Sequence, residues 1–205
     1  MTLFEDNRVL AILRYREPCH LGAVVDALRA AGIRSIEVTA DTPGALDEVG
    51  RARREGAPIG AGTIRTLEEA RAFADAGAGF LVSPGLVPEI VREGLERGVP
   101  TIPGVLSPTE IMAAVAAGSN TMKLFPASLG GPGYLASLRG PFPEVRFVPT
   151  GGISVSDVPT WLEAGAVCVG LGSSLVGGSP PRARADLGRI TAEARRAIEL
   201  ATGGS

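Results

Sequence analysis

Of the twenty basic residues in this 205-residue chain, nineteen are arginine and one is lysine, Lys123. An amine can do what a guanidinium cannot: once deprotonated, it attacks a carbonyl carbon and forms an imine. Lys123 lies in the run Thr121-Met122-Lys123-Leu124-Phe125-Pro126. Strand alternation gives Lys123 and Phe125 one face, and Met122 and Leu124 the other. An inward Lys123 would sit in a low dielectric that favours its neutral, nucleophilic form. The bland alternative is a lysine that snorkels at a sheet edge or pairs with a carboxylate, but lysine is rarely buried without a reason.

Four further groups could serve such an amine. Glu37, in Ser35-Ile36-Glu37-Val38-Thr39-Ala40, shares the inward face with Thr39 and could move protons if burial raises its carboxyl pKa. The alternative is a structural partner for Arg14, a role that can coexist with the first. Arg14 closes the first apolar run, where a guanidinium can clamp a carboxylate with two hydrogen bonds. Gly60-Ala61-Gly62-Thr63 offers a hydroxyl at a strand end, beside glycines that allow a ligand or a neighbouring backbone to approach closely. Near the end of the chain, Thr150-Gly151-Gly152-Ile153-Ser154 and Gly170-Leu171-Gly172-Ser173-Ser174 are glycine loops whose N–H groups, with a following helix start, could hold a phosphate.

The elements that must hold these groups follow a weak repeat of amphipathic helix, glycine and short apolar strand. Gly32, Gly56, Gly77, Gly98, Gly118, Gly140 and Gly165, spaced 20 to 25 residues apart, each end a helical pattern where a left-handed C′ residue is expected. Strands are expected at 9–14, 35–40, 58–63, 80–84, 100–104, 121–126, 146–150 and 167–171. They are nearly continuous in apolar character, as in a parallel sheet buried on both faces. Eight αβ units in one domain spanning 1–205 predict a single (β/α)8 TIM barrel, with residues 180–202 as the last helix and 203–205 as a frayed end. Its catalytic groups belong at the C-terminal strand ends, and its phosphate site after the last two strands. An open doubly wound sheet is the alternative; it usually carries a glycine-rich turn after its first strand, which Leu13-Arg14-Tyr15-Arg16 lacks.

Composition narrows the field. A net charge of −2 argues against nucleic-acid and anionic-membrane partners. No apolar run reaches the roughly 18 residues of a membrane span, and residues 1–6 lack the pattern of a leader, so a cytoplasmic location is expected. Cys19 and Cys168 suggest neither a disulfide framework nor a metal knuckle. His20 is the single histidine, which leaves little for a Ser-His-Asp system or a His-rich metal centre.

The chain resembles the 2-keto-3-deoxy-6-phosphogluconate (KDPG) aldolase family, also described as 4-hydroxy-2-oxoglutarate (KHG) aldolases, over nearly its whole length. The resemblance rests on Glu37-Val38-Thr39, Gly60-Ala61-Gly62-Thr63, Ser83-Pro84-Gly85, Ile102-Pro103-Gly104-Val105, Lys123-Leu124-Phe125-Pro126, Gly140-Pro141-Phe142 and Pro149-Thr150-Gly151-Gly152, in order. It implies that Lys123 forms a Schiff base and Glu37 moves protons. Thr63, Arg14 and the Pro84 turn would surround the pyruvate carboxylate, and Phe125 would form an apolar wall. Thr150, Gly151, Gly152 and Ser173 would meet the phosphorylated end, and the assembly would be a homotrimer.

The implied reaction is reversible, metal-free cleavage of KDPG to pyruvate and glyceraldehyde 3-phosphate, with no cofactor because the imine is the electron sink. Its galactonate epimer and 4-hydroxy-2-oxoglutarate are alternative substrates. Some relatives carry an arginine two residues after the Thr of the Glu-Val-Thr segment; this chain has Asp41, expected to cap the next helix and point away from the carboxylate. Two other classes share parts of the pattern. A phosphate-binding barrel isomerase or synthase would not trap an imine, and a non-catalytic sugar-acid binding protein would not release pyruvate.

Overall fold

A computed structural model describes Phe4 and residues 8–203. The remaining residues of the 1–6 segment read for a leader, and 204–205 of the expected frayed end, lie outside the described residues. The first half of the chain alternates β1 (Val9–Leu13), α1 (Leu21–Ala31), β2 (Ser35–Thr39), α2 (Ala45–Arg54), β3 (Gly60–Gly62), α3 (Leu67–Asp75), β4 (Leu81–Val82) and α4 (Pro88–Arg97). The second half runs β5 (Thr101–Ile102), β6 (Gly104–Val105), α5 (Pro108–Ala116), β7 (Thr121–Leu124), α6 (Gly131–Arg139), β8 (Arg146–Pro149), α7 (Val158–Glu163), β9 (Val169–Leu171), α8 (Ser173–Val176) and α9 (Arg184–Thr202).

Helix starts follow their caps. Thr66 and Glu69 form a capping box at α3, and Ser107 and Glu110 form another at α5, where Pro108 takes the first helical position. Six of the seven expected helix-ending glycines have positive φ, from 67° at Gly98 to 103° at Gly32. The seventh does not. Gly140 has φ −55°, so α6 ends with its last residue still in right-handed geometry.

The strands form a curled parallel sheet in two hydrogen-bonded pieces, β5-β4-β3-β2-β1-β9 and β6-β7-β8. Nine strands replace the expected eight because the fifth is interrupted at Pro103, which has no N–H to donate to a ladder. A single bridge, Thr150 to Gly170, joins the β8 and β9 sides. The strands are shorter than their apolar runs, and the expected last helix is preceded by the separate short helix α8.

Two cores result. The larger lies between the sheet and its helices and includes Leu13, Val38, Met122 and Leu124. The smaller fills the concave side of the sheet with Phe4, Leu10, Ile12, Phe80, Val82, Ile102, Val148 and Cys168. Side chains of the second kind support whatever sits at the strand ends above them.

Candidate active site

Lys123 emerges from this concave side. Met122 and Leu124 bury themselves against helices as alternation requires, which turns Lys123 inward with only 5% of its surface exposed. Its backbone N–H donates to Pro103 O at 2.9 Å, and its Nζ lies 5.0 Å from the centre of the Phe125 ring. The amine therefore has an aromatic face beside it and, among the described residues, no carboxylate within ion-pair distance.

Glu37 approaches from β2, fully buried, with both carboxylate oxygens lacking any hydrogen-bond partner among the described residues. Burial pushes its carboxyl above the ordinary value of 4.5, while the Lys123 and Arg14 charges pull it back down. The space it occupies is created by Gly62. A Cβ there would overlap the Glu37 carboxylate, and one on Gly60 would overlap the Phe80 ring. These glycines thus admit side chains, rather than the ligand or backbone expected from sequence. An unpaired buried carboxyl costs roughly 1–3 kcal/mol, which structure alone gives no reason to bear.

Arg14 stands just past β1, half exposed. Its Nη2 donates to Thr63 Oγ1 at 2.5 Å, and its Nε lies 3.8 Å from Asp41 Oδ1. So Arg14 makes its hydrogen bond to Thr63 and its ion pair to Asp41, and toward Glu37, its alternative structural partner, it acts through charge alone. Asp41 does not cap α2 as expected; the cap position is Gly44 with φ 80°, and no side chain bonds there. The Thr42-Pro43 turn carries Asp41 toward Arg14 instead. Thr63 is held at φ 58°, a left-handed conformation that costs a β-branched residue about 1–2 kcal/mol. Its hydroxyl accepts from Arg14 and keeps its own proton available to donate.

Arg14, Lys123, Phe125, Thr150, Gly151, Gly152 and Ser173 line one cavity of about 520 Å³. Glu37, Thr63 and Pro84 are not on that wall. Glu37 and Thr63 connect to it through the Lys123 and Arg14 charges and the Arg14 hydrogen bond. The backbone carbonyl of Pro84 packs against Gly104, where a Cβ would overlap it. At the far end, Gly151 and Gly152 take φ 94° and 76° in succession, which folds their loop against Phe125 and Ser128. Ser173 opens α8, a helix of four residues, and Ser174 Oγ donates to Ile153 O at 2.9 Å. The rim also includes Arg16, Glu17, Ser179 and Pro180, none singled out from sequence. They lie on loops without periodicity; the one available signal was that Arg16 and Arg14 share a parity. Among the described residues, no group of three or more His, Cys, Asp or Glu could hold a metal ion.

A family model for KDPG and KHG aldolases matches residues 2–192. The 2-dehydro-3-deoxy-phosphogluconate aldolase of Pseudomonas aeruginosa is 38% identical over 173 residues, covering 82% of this chain and 79% of the relative. The structure of 2-keto-3-deoxy-6-phosphogluconate aldolase from Zymomonas mobilis superposes with a TM-score of 0.87 at 32% identity, covering 97% of this chain and 95% of that one. That of Legionella pneumophila KDPG aldolase, with pyruvate captured as a covalent carbinolamine, has a TM-score of 0.75 at 31% identity and covers 99% and 96%.

Proposed function

The chain belongs to the KDPG and KHG aldolase family, and from that premise we propose that it is a class I aldolase that cleaves KDPG to pyruvate and glyceraldehyde 3-phosphate through an imine on Lys123. The observation that carries the assignment of Lys123 is a sole lysine, almost wholly buried, on the wall of a cavity beside an unpartnered buried carboxyl. The carbinolamine in the Legionella relative supports the same chemistry.

The amine adds to the C2 carbonyl, giving a carbinolamine that loses water to become a protonated imine. Removal of the C4 hydroxyl proton breaks the C3–C4 bond, and its electron pair passes into the imine to leave an enamine and the free aldehyde. Protonation of C3 and addition of water release pyruvate and restore the amine. Glu37, made a better proton acceptor by burial and coupled to Lys123 by charge, would move these protons from behind the cavity wall. Arg14 and the Thr63 hydroxyl would hold the carboxylate, the Pro84 turn would bound it, and Phe125 would wall the methylene carbons. Thr150, Gly151, Gly152 and Ser173 would take the phosphate, some way along the same cavity.

The same reading extends to the architecture. β5 and β6 count as one strand broken at Pro103, and the Thr150–Gly170 bridge links the remaining edges, which supports a closed (β/α)8 barrel in one domain over 1–205. Exposed Met112 and Val115, neighbours on one face of α5, give apolar surface for a homotrimer contact, testable by sedimentation. Among the described residues no helix is long and apolar enough to cross a membrane, and a cytoplasmic location is part of this proposal.

The test has two arms. Pyruvate with borohydride should add one reduced pyruvyl group, mapped to the peptide containing Lys123; an unmodified Lys123 under turnover conditions overturns the mechanism. A coupled assay of pyruvate release should favour KDPG over its galactonate epimer and over 4-hydroxy-2-oxoglutarate, and a stronger preference for either of the latter overturns the substrate.

A further inference from the structure

The rows of side chains facing the concave core continue past it at both ends. Arg8, Leu10, Ile12 and Arg14 alternate along β1 and its flanks, and Arg146, Val148 and Thr150 along β8. At the C-terminal ends the rows finish in Arg14 and Thr150, on the wall of the Lys123 cavity. At the other ends they finish in Arg8 and Arg146, on the wall of a second cavity of about 460 Å³. Buried Leu10, Ile12, Val148 and Cys168 lie between, and the two cavities share no lining residue.

Arg139, exposed at the end of α6, joins Arg8 and Arg146 there, its guanidinium laid over Gly165, where any Cβ would overlap it. Arg8 is held at φ 55° and donates from Nη2 to Ala166 O at 2.9 Å, which fixes its guanidinium in place. Arg146 Nε is buried with no hydrogen-bond partner among the described residues. Among the described residues none of the three arginines has a carboxylate in ion-pair range, although Arg29, Arg51, Arg71 and Arg97 all do. Three like charges around one hollow repel each other, and the buried donor is unmet. A multivalent oxyanion relieves both, and guanidinium forks match phosphate oxygens in pairs.

We propose that this cavity, at the N-terminal ends of β1, β8 and β9, is a second anion site that takes a phosphate dianion, either the free ion or the phosphoryl group of a small metabolite. It is separate from the Lys123 site and does not depend on the reaction assigned there. Arg139 is the accessible arm, Arg8 is held by the Ala166 carbonyl, and Arg146 supplies the unmet buried donor.

The experiment is calorimetric titration with inorganic phosphate, and in parallel with glycerol 3-phosphate, on four proteins: the unaltered chain, Ser173→Asp, Arg139→Gln and Arg146→Gln. Ser173→Asp sets a like charge in the Lys123 cavity and should leave one phosphate site. Arg139→Gln and Arg146→Gln should each weaken that same site by about tenfold or more, the loss expected for one charge-assisted contact, while leaving the Lys123 cavity and pyruvate release unchanged. Arg139 is exposed, so its variant keeps the test open if Arg146→Gln does not fold. Binding of phosphate alone identifies the free ion as occupant, and binding of both probes identifies the phosphoryl group. A Ser173→Asp protein that binds neither probe, or affinity indifferent to both arginine substitutions, overturns the site.

Discussion

Gly62→Ala adds one methyl group to β3, and that methyl falls where the Glu37 carboxylate now lies. The obstructed atoms are the far end of a flexible side chain, so Glu37 can swing aside while the strand stays in place. Overpacking of this kind costs about 1–3 kcal/mol, or a Tm lower by roughly 2–12 °C at 2–4 °C per kcal/mol for a chain of this size. The chemical cost should be larger. If Glu37 carries the proton transfers, displacing it removes a contribution of about 10²–10⁴ in kcat, while imine formation on Lys123 still proceeds. Gly60→Ala is the matched control, since its methyl would strike the rigid Phe80 ring in the concave core. It should lower Tm at least as much yet leave kcat within a few-fold. Steady-state pyruvate release, borohydride trapping and thermal denaturation on both variants decide the matter. A Gly62→Ala enzyme with near-normal kcat, or equal kcat losses in the two variants, would refute the role given to Glu37.

Lys123→Arg should be inactive and untrappable despite its preserved charge, because a guanidinium stays protonated; turnover within tenfold of the unaltered enzyme would contradict the imine. Burial raises the Glu37 pKa, so the native state binds a proton that the unfolded chain releases, and this residue's contribution to stability falls as pH rises above 4.5. The Tm advantage of Glu37→Gln over the unaltered protein should therefore grow from pH 4.5 toward neutrality, and a pH-independent offset in a Tm series would show that Glu37 is not the titrating group. Arg14→Ala should raise KM strongly, whereas Asp41→Asn, which breaks an ion pair half exposed on both sides, should change KM by less than about fivefold. The opposite ranking in initial-rate kinetics would place the carboxylate elsewhere. A substrate lacking the phosphate should lose about 10²-fold or more in kcat/KM, and equal efficiency would discount Gly151, Gly152 and Ser173 as its binding loop.

Lys123 was legible because a single lysine among arginines, on a strand with apolar neighbours, has few structural uses. Gly32 and five of its counterparts were legible for an equally local reason, the left-handed turn after a helix. What sequence hides is what another strand does to a residue. Gly62 exists for a carboxylate on β2, and Gly60 for a ring near β4, and neither partner lies near it in the chain. Asp41 was misread for the same reason: local rules favour an N-cap, and Arg14, 27 residues away, competes for it. The break at Pro103 is a local signal masked by an apolar run that continues on both sides. Arg16, Glu17, Ser179 and Pro180 reach the cavity through loop paths that no periodicity encodes.

The near-complete replacement of lysine by arginine also makes the molecule its own reporter. Apart from the chain's α-amine, Lys123 is the one primary amine, and it is reached through the cavity rather than from the surface. A graded series of aldehydes or activated esters, ordered by bulk, would therefore be sieved by the opening before any could react with Lys123. The largest reagent that still modifies the peptide containing Lys123 would gauge the aperture in solution, without a label, a crystal or a substrate.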